Sequence, residues 1–409
     1  MADLVGDSYG RLLAVLAAPS RDIAAAEDAL ADAIERALAR WPQDGVPDNP
    51  EGWVLTVARN RLRDRWKSAA YRKTEPLDEN YDSSNEFDEV SDIPDRRLEL
   101  MLVCAHPAIA PNVRTPLMLQ TVLGVEAAAI AEAFAVEPAT MAQRLVRAKK
   151  RIHSAGIAFV LPERDNLAAR LPAVLEAVYG AYAIDWQLTP AGAPAETLSA
   201  EALHLALVLA ELLPGEPEVL GLAALVCLSE ARRPARRRTD GTFVPLGEQD
   251  TALWDRTLIA RGERILRRAH ALGRAGRFQY EAAIQSVHCS RAAGSDVIGP
   301  DGNRPDVKNE ALRTLHRALL RVAPSLGAAV ASAAVDGELD GPDAGLRALA
   351  AIGDPAVDRF QPAWCTRAHL LAEAGRPAEA AEAYRRAIDL TTDPGLVEYL
   401  LRCLRVVHG

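Results

Sequence analysis

The chain has few aromatic residues: phenylalanine, tryptophan and tyrosine make up only 5% of its 409 positions, whereas hydrophobic residues make up 49%. Its cores must therefore be built mainly from alanine, leucine and valine, which favour close helix–helix packing over the β-branched and aromatic surfaces of sheets. This composition argues against a sandwich or barrel and predicts an all-α fold. At about 150 residues per domain, the length suggests two or three domains.

Long apolar runs and clustered cysteines are also missing. Residues 1–10 do not form the basic-then-apolar pattern of a secretory signal. The most apolar stretch, residues 203–213, contains His204 and Glu211 and is too short to span a bilayer. The five cysteines form no CxxC pair, and their odd number is typical of reduced thiols. We therefore expect a cytoplasmic protein that makes no contact with a membrane.

The sequence lacks the motifs of common enzymes. It contains no phosphate-binding GxxxxGK[ST], no HExxH and no GxSxG. Cys104 and His106 lie two positions apart, and His288 adjoins Cys289, but neither pair has a partner pair at zinc spacing. No spacing of acidic residues singles out a catalytic pair. The sequence therefore predicts a protein that is not an enzyme and holds neither a cofactor nor a metal ion.

The net charge of −9 is unevenly distributed. Residues 52–73 contain seven basic residues and one acid, and residues 141–153 contain five basic residues and no acid. Between them, residues 74–99 contain ten acids and two arginines. Two basic segments separated by an acidic one indicate two separate contacts with a polyanion such as nucleic acid.

The first basic segment has the pattern of an amphipathic helix. Residues 42–50 predict a loop, Asn49 is a suitable helix cap, and the helix can run to about Tyr71. Its apolar residues recur at steps of three and four: Leu55, Ala58, Leu62, Trp66 and Ala69. Trp66 could stack on an unpaired base, but its place on this stripe favours burial. A solvated surface helix is the alternative interpretation.

The second basic segment has the pattern of a helix-turn-helix. Residues 126–134 predict a short helix, residues 135–138 a turn and residues 139–154 a second helix. Four apolar residues line one face of the second helix: Met141, Leu145, Ala148 and Ile152. Residues 74–95 have almost no apolar periodicity and predict an extended acidic linker.

Residues 160–409 are rich in alanine and leucine, with turns at glycine, proline and aspartate. Near the C-terminus they resemble a tetratricopeptide repeat, in which small residues let two helices pack closely and neighbouring hairpins stack. The pattern is matched at Trp364, at Ala380 with Tyr384 and, loosely, at Pro394, whereas Arg367 and Ala368 stand where leucine and glycine are usual. Residues 232–238 include five arginines, which could contact a partner protein, DNA or the acidic linker, or could form an exposed solubilising loop.

Several segments together resemble a known family. AEDAL at residues 26–30, DNPEGW at 48–53 and TVARNR at 56–61 resemble the second conserved domain of extracytoplasmic-function sigma factors. IAEAF at 130–134 and ATMAQRLVRAK at 139–149 resemble the fourth domain of the same group. CAHPA at 104–108 and the helical tail resemble the subgroup that carries a tetratricopeptide-like C-terminal extension.

This resemblance implies an organisation into sigma domain 2 (1–75), an acidic linker (76–98), sigma domain 4 (99–157) and a regulatory extension (158–409). The implied partners are core RNA polymerase and promoter DNA, with activity regulated in cis by the extension. Tetratricopeptide grooves bind peptides, so a peptide or protein ligand of the extension is also implied.

The resemblance also implies roles for individual residues. The core polymerase contact would use Asp28, Asp32, Glu35 and Arg36, although the family often has Gln-Glu where this chain has Ala31 and Asp32. The −10 element would be met by Arg59, Asn60, Arg61, Arg63, Asp64 and Lys67. The −35 element would be met by Thr140, Gln143, Arg144, Arg147, Lys149, Lys150 and Arg151. Of these, Gln143, Arg144 and Arg147 suit base edges, whereas Lys149, Lys150 and Arg151 suit phosphates.

Two alternatives remain open from the residues themselves. The chain could be a DNA-binding regulator that uses only the helix-turn-helix and never joins polymerase. It could also be a peptide-binding scaffold whose basic helices are merely solvated.

Overall fold

The computed structural model describes residues 2–72, 95–134, 136–162, 164–188, 196–291 and 307–408. The expected acidic linker lies outside these residues from position 76 to position 94. The described residues form 18 α-helices and no β-strand, with one isolated antiparallel bridge between Arg237 and Phe243. The all-α prediction is confirmed. The chain divides into two compact units, Met1–Ile184 and Asp185–Gly409.

Eight helices begin in the N-terminal unit. They are α1 (Ala2–Ser20), α2 (Ile23–Asp44), α3 (Pro50–Arg72), α4 (Arg97–Cys104), α5 (Pro111–Thr121), α6 (Ala127–Ala133), α7 (Pro138–Ser154) and α8 (Arg164–Leu188), the last of which contains the boundary between the units.

Helices α1, α2 and α3 pack together through an apolar core. Leu13, Leu16, Ile23, Leu30 and Leu55 are all at most 2% exposed. The side chain of Glu51 at the start of α3 also receives hydrogen bonds from Ser8 and Arg11 of α1. The first helix of this unit is therefore fixed to the third by both apolar and polar contacts.

The cap predicted for α3 is confirmed, because Asn49 Oδ1 accepts the Gly52 N–H at 2.9 Å. The loop predicted from residue 42 begins later, since α2 continues through Pro42 to Asp44. Trp41 is buried and meets Trp53 edge to face at 5.5 Å, and the Gly45 N–H donates to its carbonyl. These contacts hold the last turn of α2 in place despite the proline.

The C-terminal unit contains the remaining described helices. They are α9 (Glu196–Leu212), α10 (Pro217–Glu230), α11 (Arg256–Ala271), α12 (Arg277–Arg291), α13 (Val307–Val322), α14 (Leu326–Asp340), α15 (Pro342–Ala350), α16 (Gln361–Glu373), α17 (Pro377–Asp389) and α18 (Pro394–His408). Helix α10 is apolar on all sides and packs against α9, α11 and α12.

Helices α16 and α17 form the hairpin that the sequence predicts around residue 364. Ala368 and Leu371 of α16 pack with Ala380 and Tyr384 of α17, and Trp364 is partly buried against them. Close approach of α16 and α17 follows from these small side chains. The assignment of the unit to the tetratricopeptide class stays a prediction.

The arginine-rich segment 232–238 serves mainly internal contacts. Arg232 is 6% exposed, hydrogen-bonds to Gln285 and lies 5.7 Å from the ring centroid of Trp254. Arg237 binds both carboxylate oxygens of Asp393, at 3.1 and 2.6 Å. These arginines therefore connect helices of the C-terminal unit and do not form the freely solvated loop that composition alone allowed.

All five cysteines are free thiols, and Cys104, Cys227 and Cys289 are buried. Burial raises the pKa of the Cys104 thiol to about 12, so this group stays neutral at physiological pH. Among the helices whose residues are described, none has both the length and the apolar character required to cross a membrane.

Candidate nucleic-acid interface

Helix α3 separates an apolar face from a basic one. Leu55, Ala58 and Leu62 are at most 3% exposed and face the core of the N-terminal unit. On the solvent side, the exposed residues include five of the six expected at the −10 element: Arg59, Asn60, Arg61, Arg63 and Asp64. The side chain of the sixth, Lys67, lies outside the described residues. The predicted amphipathic character of α3 is confirmed over the part described.

The expectation that Trp66 is buried is wrong. Its position on the apolar stripe favours burial, but its side chain is 39% exposed. Leu62, one turn earlier, is the last residue of the stripe that is described as buried. An exposed indole beside arginines offers a surface on which an unpaired base can stack.

Helices α2 and α3 run antiparallel and exchange ion pairs along their exposed edge. Arg61 Nε lies 2.6 Å from Asp32 Oδ2, and Arg65 Nη1 lies 2.9 Å from Asp28 Oδ2. Residues expected to meet polymerase therefore touch residues of the expected DNA surface. Because all four side chains are well exposed, each pair contributes only about 0–1 kcal/mol and can be exchanged for a stronger partner.

The other two residues of the expected polymerase contact also lie on α2. Glu35 and Arg36 are exposed, whereas Ala33 and Ala37 on the opposite side are buried. Thus Asp28, Asp32, Glu35 and Arg36 share the outer face of one helix, as the spacing of three and four residues predicts.

Helices α6 and α7 form the predicted pair of short and long helices. The N–H of Phe134 donates to Ile130 O at 3.0 Å, and the N–H of Val136 donates to Ala131 O at 2.9 Å, which ends α6. Pro138 occupies the first turn of α7, where its missing N–H has no cost. The apolar residues predicted to line α7 are all buried: Met141, Leu145, Ala148 and Ile152.

The opposite face of α7 is polar and basic. Its exposed side chains include Thr140, Gln143, Arg147, Lys150 and Arg151, and Arg144 is half-buried at the edge. No acidic residue lies between Met141 and His153, so this face carries only positive charge. The amide and guanidinium groups of this face can bind base edges, and its other cations can bind phosphates.

Lys149 lies apart from this surface. It is 8% exposed, and its ammonium group donates to both carboxylate oxygens of Glu27 on α2, at 2.7 and 2.6 Å. Desolvation raises the pKa of Glu27 above its usual value even though Lys149 acts in the opposite direction. The expectation that Lys149 holds a phosphate is not met in this arrangement, because its charge is already paired inside the protein.

A third arginine-rich helix is α11 in the C-terminal unit. The signal is visible in the sequence, since residues 256–277 contain seven arginines and one acid, but it is separated from the other two basic segments. For metal binding, the described part of the chain offers no group of three histidine, cysteine, aspartate or glutamate residues.

Comparison with known proteins yields two family matches. A model described as Sigma-70 region 2 matches residues 4–72, which include nearly all of α1, α2 and α3. A model described as a family of unknown function (DUF6596) matches residues 170–270. No solved structure matches the chain.

A full-length relative is also found. An uncharacterized protein of Rhizobium meliloti is 33% identical over 390 residues, covering 93% of this chain and 89% of its own length. The similarity therefore includes both compact units.

Proposed function

This chain belongs to one protein family with the uncharacterized protein of Rhizobium meliloti and carries a region 2 of the sigma-70 family, and from these facts we propose that it is an extracytoplasmic-function sigma factor. In this role it binds core RNA polymerase in the cytoplasm and directs transcription from promoters with −10 and −35 elements. It acts as a binding subunit and catalyses no reaction.

One observation carries this proposal. The family match ends at residue 72, where α3 ends, and from residue 59 onward α3 exposes arginines, an amide and an indole around most of its circumference. These groups suit the phosphates and unpaired bases of a melting duplex. The family match and the exposed chemistry therefore support the same function.

In the proposed complex, the outer face of α2 meets the polymerase and α3 meets the −10 element. Asp28 and Asp32 exchange their arginine partners for basic groups of the polymerase. Arg61 and Arg65 then become available to the phosphates of the DNA. This exchange requires little free energy, because the ion pairs that it replaces are exposed.

Helix α7 takes the −35 element in this proposal, with its N-terminal half in the major groove. Gln143, Arg144 and Arg147 read base edges, whereas Lys150 and Arg151 hold phosphates. Lys149 is assigned to the contact with α2 in the free protein.

Binding to both elements requires the two sigma domains to separate. The elements are about 25 base pairs apart, or roughly 85 Å along the helix axis, whereas α2 and α7 are in direct contact here. The Glu27–Lys149 pair must therefore break when both elements are engaged. The acidic linker over residues 76–98 would then span the gap.

The extension over residues 158–409 is proposed to regulate the sigma domains in cis, with its helical hairpins able to take a peptide or protein ligand. A chain ending after Leu188, which keeps α8 whole, tests this role when its transcription is compared with that of the full chain. A change in transcript yield of either sign supports regulation in cis, and equal yields contradict it.

The central test is transcription in vitro with purified core RNA polymerase. The full chain should retain core polymerase on an affinity column and should produce transcripts from promoters selected with it. Asp28→Lys combined with Asp32→Lys should abolish core binding, whereas Glu382→Lys on the exposed side of α17 should not. DNA binding that persists without any binding to core polymerase would instead favour an ordinary helix-turn-helix regulator.

A further inference from the structure

Helix α11 carries a row of exposed arginines that the proposed function does not use. We define the α11 face as four exposed arginine side chains of this helix: Arg256, Arg264, Arg267 and Arg268. At 3.6 residues per turn they fall within an arc of about 120°, and the row is about 18 Å long. The lone acid of this segment, Glu263, is half-buried and lies at the edge of the row, four positions before Arg267.

The opposite side of α11 is held firmly. Gly262, Ile265 and Ala269 are buried, and a Cβ on Gly262 would lie 2.8 Å from Leu228 Cγ of α10. At the start of the helix, Asp255 Oδ1 accepts the N–H of Leu258 at 2.9 Å, and its own N–H donates to Ala231 O. The backbone of α11 is therefore a fixed platform, and only the arginine side chains need ordering when a partner binds.

Some other arginines of the same unit have carboxylate partners, unlike those of the α11 face. Arg313 pairs with Asp340, Arg376 with Glu379 and Arg385 with Glu382, although these side chains are also on the surface or near it. Within the part of the chain that the structure describes, the four arginines of the α11 face form no ion pair and no hydrogen bond.

This lack of partners has an energetic consequence. Arg264 lies three and four positions before Arg267 and Arg268, so like charges are neighbours on the helix and destabilise it. A surface built only for solubility mixes both signs of charge. A bound polyanion would neutralise these charges together and remove the repulsion.

We propose that the α11 face binds the phosphodiester backbone of duplex DNA. Guanidinium groups bind phosphate oxygens in pairs of parallel hydrogen bonds, and the row is long enough to reach more than one phosphate of a strand. Thr257, Ala260 and Ala271 are exposed near the arginines and offer little that could read bases, so the contact is independent of sequence. Leu253 and Leu272 are exposed just beyond the two ends of the helix, but no exposed large apolar side chain lies between Arg256 and Arg268, which argues against a lipid surface.

This inference rests on the proposed function in its choice of DNA as the polyanion. It gives the C-terminal unit a direct role, namely to hold duplex outside the two promoter elements. It also gives a physical role to the C-terminal end of the segment of unknown function, which matches up to residue 270.

The test uses the full chain and a fluorescent duplex of random sequence, with the dissociation constant measured by anisotropy between 50 and 300 mM salt. Changing Arg264, Arg267 and Arg268 together to glutamine should weaken binding at low salt at least about tenfold. It should also lower the salt slope, which is the slope of the logarithm of the binding constant against the logarithm of the salt concentration, by about 2–3, since each phosphate contact contributes about 0.9. The same three positions changed to lysine should retain most of the slope.

A matched control changes three exposed arginines that already have carboxylate partners: Arg376→Gln, Arg385→Gln and Arg405→Gln. This control has the same net charge as the glutamine variant of α11 and should bind duplex as the wild type does. If the α11 variant binds with the affinity and slope of the control, the proposal is overturned.

Two further measurements separate this proposal from its competitors. If the α11 variant keeps its affinity for duplex but no longer binds a synthetic peptide of residues 74–98, the partner is an acidic segment and the proposal is wrong. A variant with Arg147→Ala and Lys150→Ala is tested on the same duplex. If only that variant weakens binding, the α11 proposal fails while the sigma-factor proposal stands; if neither does, the α11 proposal fails and transcription with core polymerase decides the sigma-factor proposal.

Discussion

Lys149 Nζ on α7 lies 2.7 and 2.6 Å from the two carboxylate oxygens of Glu27 on α2, and the two residues are 122 positions apart in the sequence. The lysine side chain is 9% exposed and the carboxylate 20%. The pair therefore joins the two sigma domains through charges that are largely withdrawn from water. Removal of one partner leaves the other charge buried without compensation.

We expect Glu27→Ala to lower the free energy of unfolding of the N-terminal unit by about 3 kcal/mol, because the Lys149 ammonium loses the carboxylate that accepts its hydrogen bonds while it stays desolvated. Glu27→Leu combined with Lys149→Met should restore most of this loss, since an apolar pair of similar size carries no desolvation cost. Urea unfolding followed by circular dichroism measures both changes.

The control for this pair is Asp28→Ala, which removes the partner of Arg65 from an ion pair that is mostly exposed. It should cost no more than about 1 kcal/mol. If Glu27→Ala is equally mild, the contact between α2 and α7 is open in solution.

A close backbone contact ties α1 to the segment after α5. A Cβ placed on Gly10 would lie 1.8 Å from the carbonyl oxygen of Val122. We expect Gly10→Ala to destabilise the N-terminal unit by about 1–3 kcal/mol, because the obstructing atom belongs to the backbone and cannot rotate away. Thermal unfolding of the full chain is the measurement.

Gly180→Ala serves as the control for Gly10. It lies within α8, has nothing within 4 Å of the added Cβ, and should stabilise the helix by up to about 1 kcal/mol. Equal melting temperatures for the two variants would show that α1 does not approach Val122 so closely in solution.

The helices of the candidate site could be predicted because their signals are local. Asn49 caps α3, and the recurrence of apolar residues at three and four positions marks the buried face of α7, as the structure confirms. Each signal depends on residues within one or two turns of the same helix. Such patterns do not require knowledge of what the helix packs against.

The exceptions depend on distant parts of the chain. Periodicity placed Trp66 with the core, but burial requires a neighbouring element to cover it, and here the side chain is 39% exposed. Lys149 has the same sequence signal as Lys150, yet only Lys149 meets a carboxylate from α2. The continuation of α2 past Pro42 likewise depends on Trp53, a residue of the next helix.

Acidification should weaken the C-terminal unit through His316 on α13. Burial lowers the pKa of this imidazole, which is 6% exposed, below its usual value of 6.5, and its Nδ1 atom has no hydrogen-bond partner among the residues that the structure describes. Below pH 6.5 the unfolded chain takes up a proton that the folded chain resists. The free energy of unfolding should therefore fall as the pH drops from 7 to 5.

His316→Gln should flatten this pH dependence, because the amide does not titrate, whereas His270→Gln at an exposed position of α11 should leave it as in the wild type. Unfolding midpoints of the three proteins in urea at pH 5, 6 and 7 provide the comparison. A slope that is equal for His316→Gln and the wild type would assign the effect to other groups.

Substitutions of Arg147 and Lys150, which are both exposed on the basic face of α7, test whether one residue reads a base while the other holds a phosphate. If Arg147 reads a base, Arg147→Ala should cost about 1–3 kcal/mol on the preferred promoter sequence and relax specificity at one position. If Lys150 holds a phosphate, Lys150→Ala should weaken binding evenly across sequences and lower the salt slope by about 1. Binding to a library of single-base promoter variants at several salt concentrations separates the two effects. Identical profiles for both variants would contradict the assignment, because a charge that only positions the helix carries no information about the base beside it.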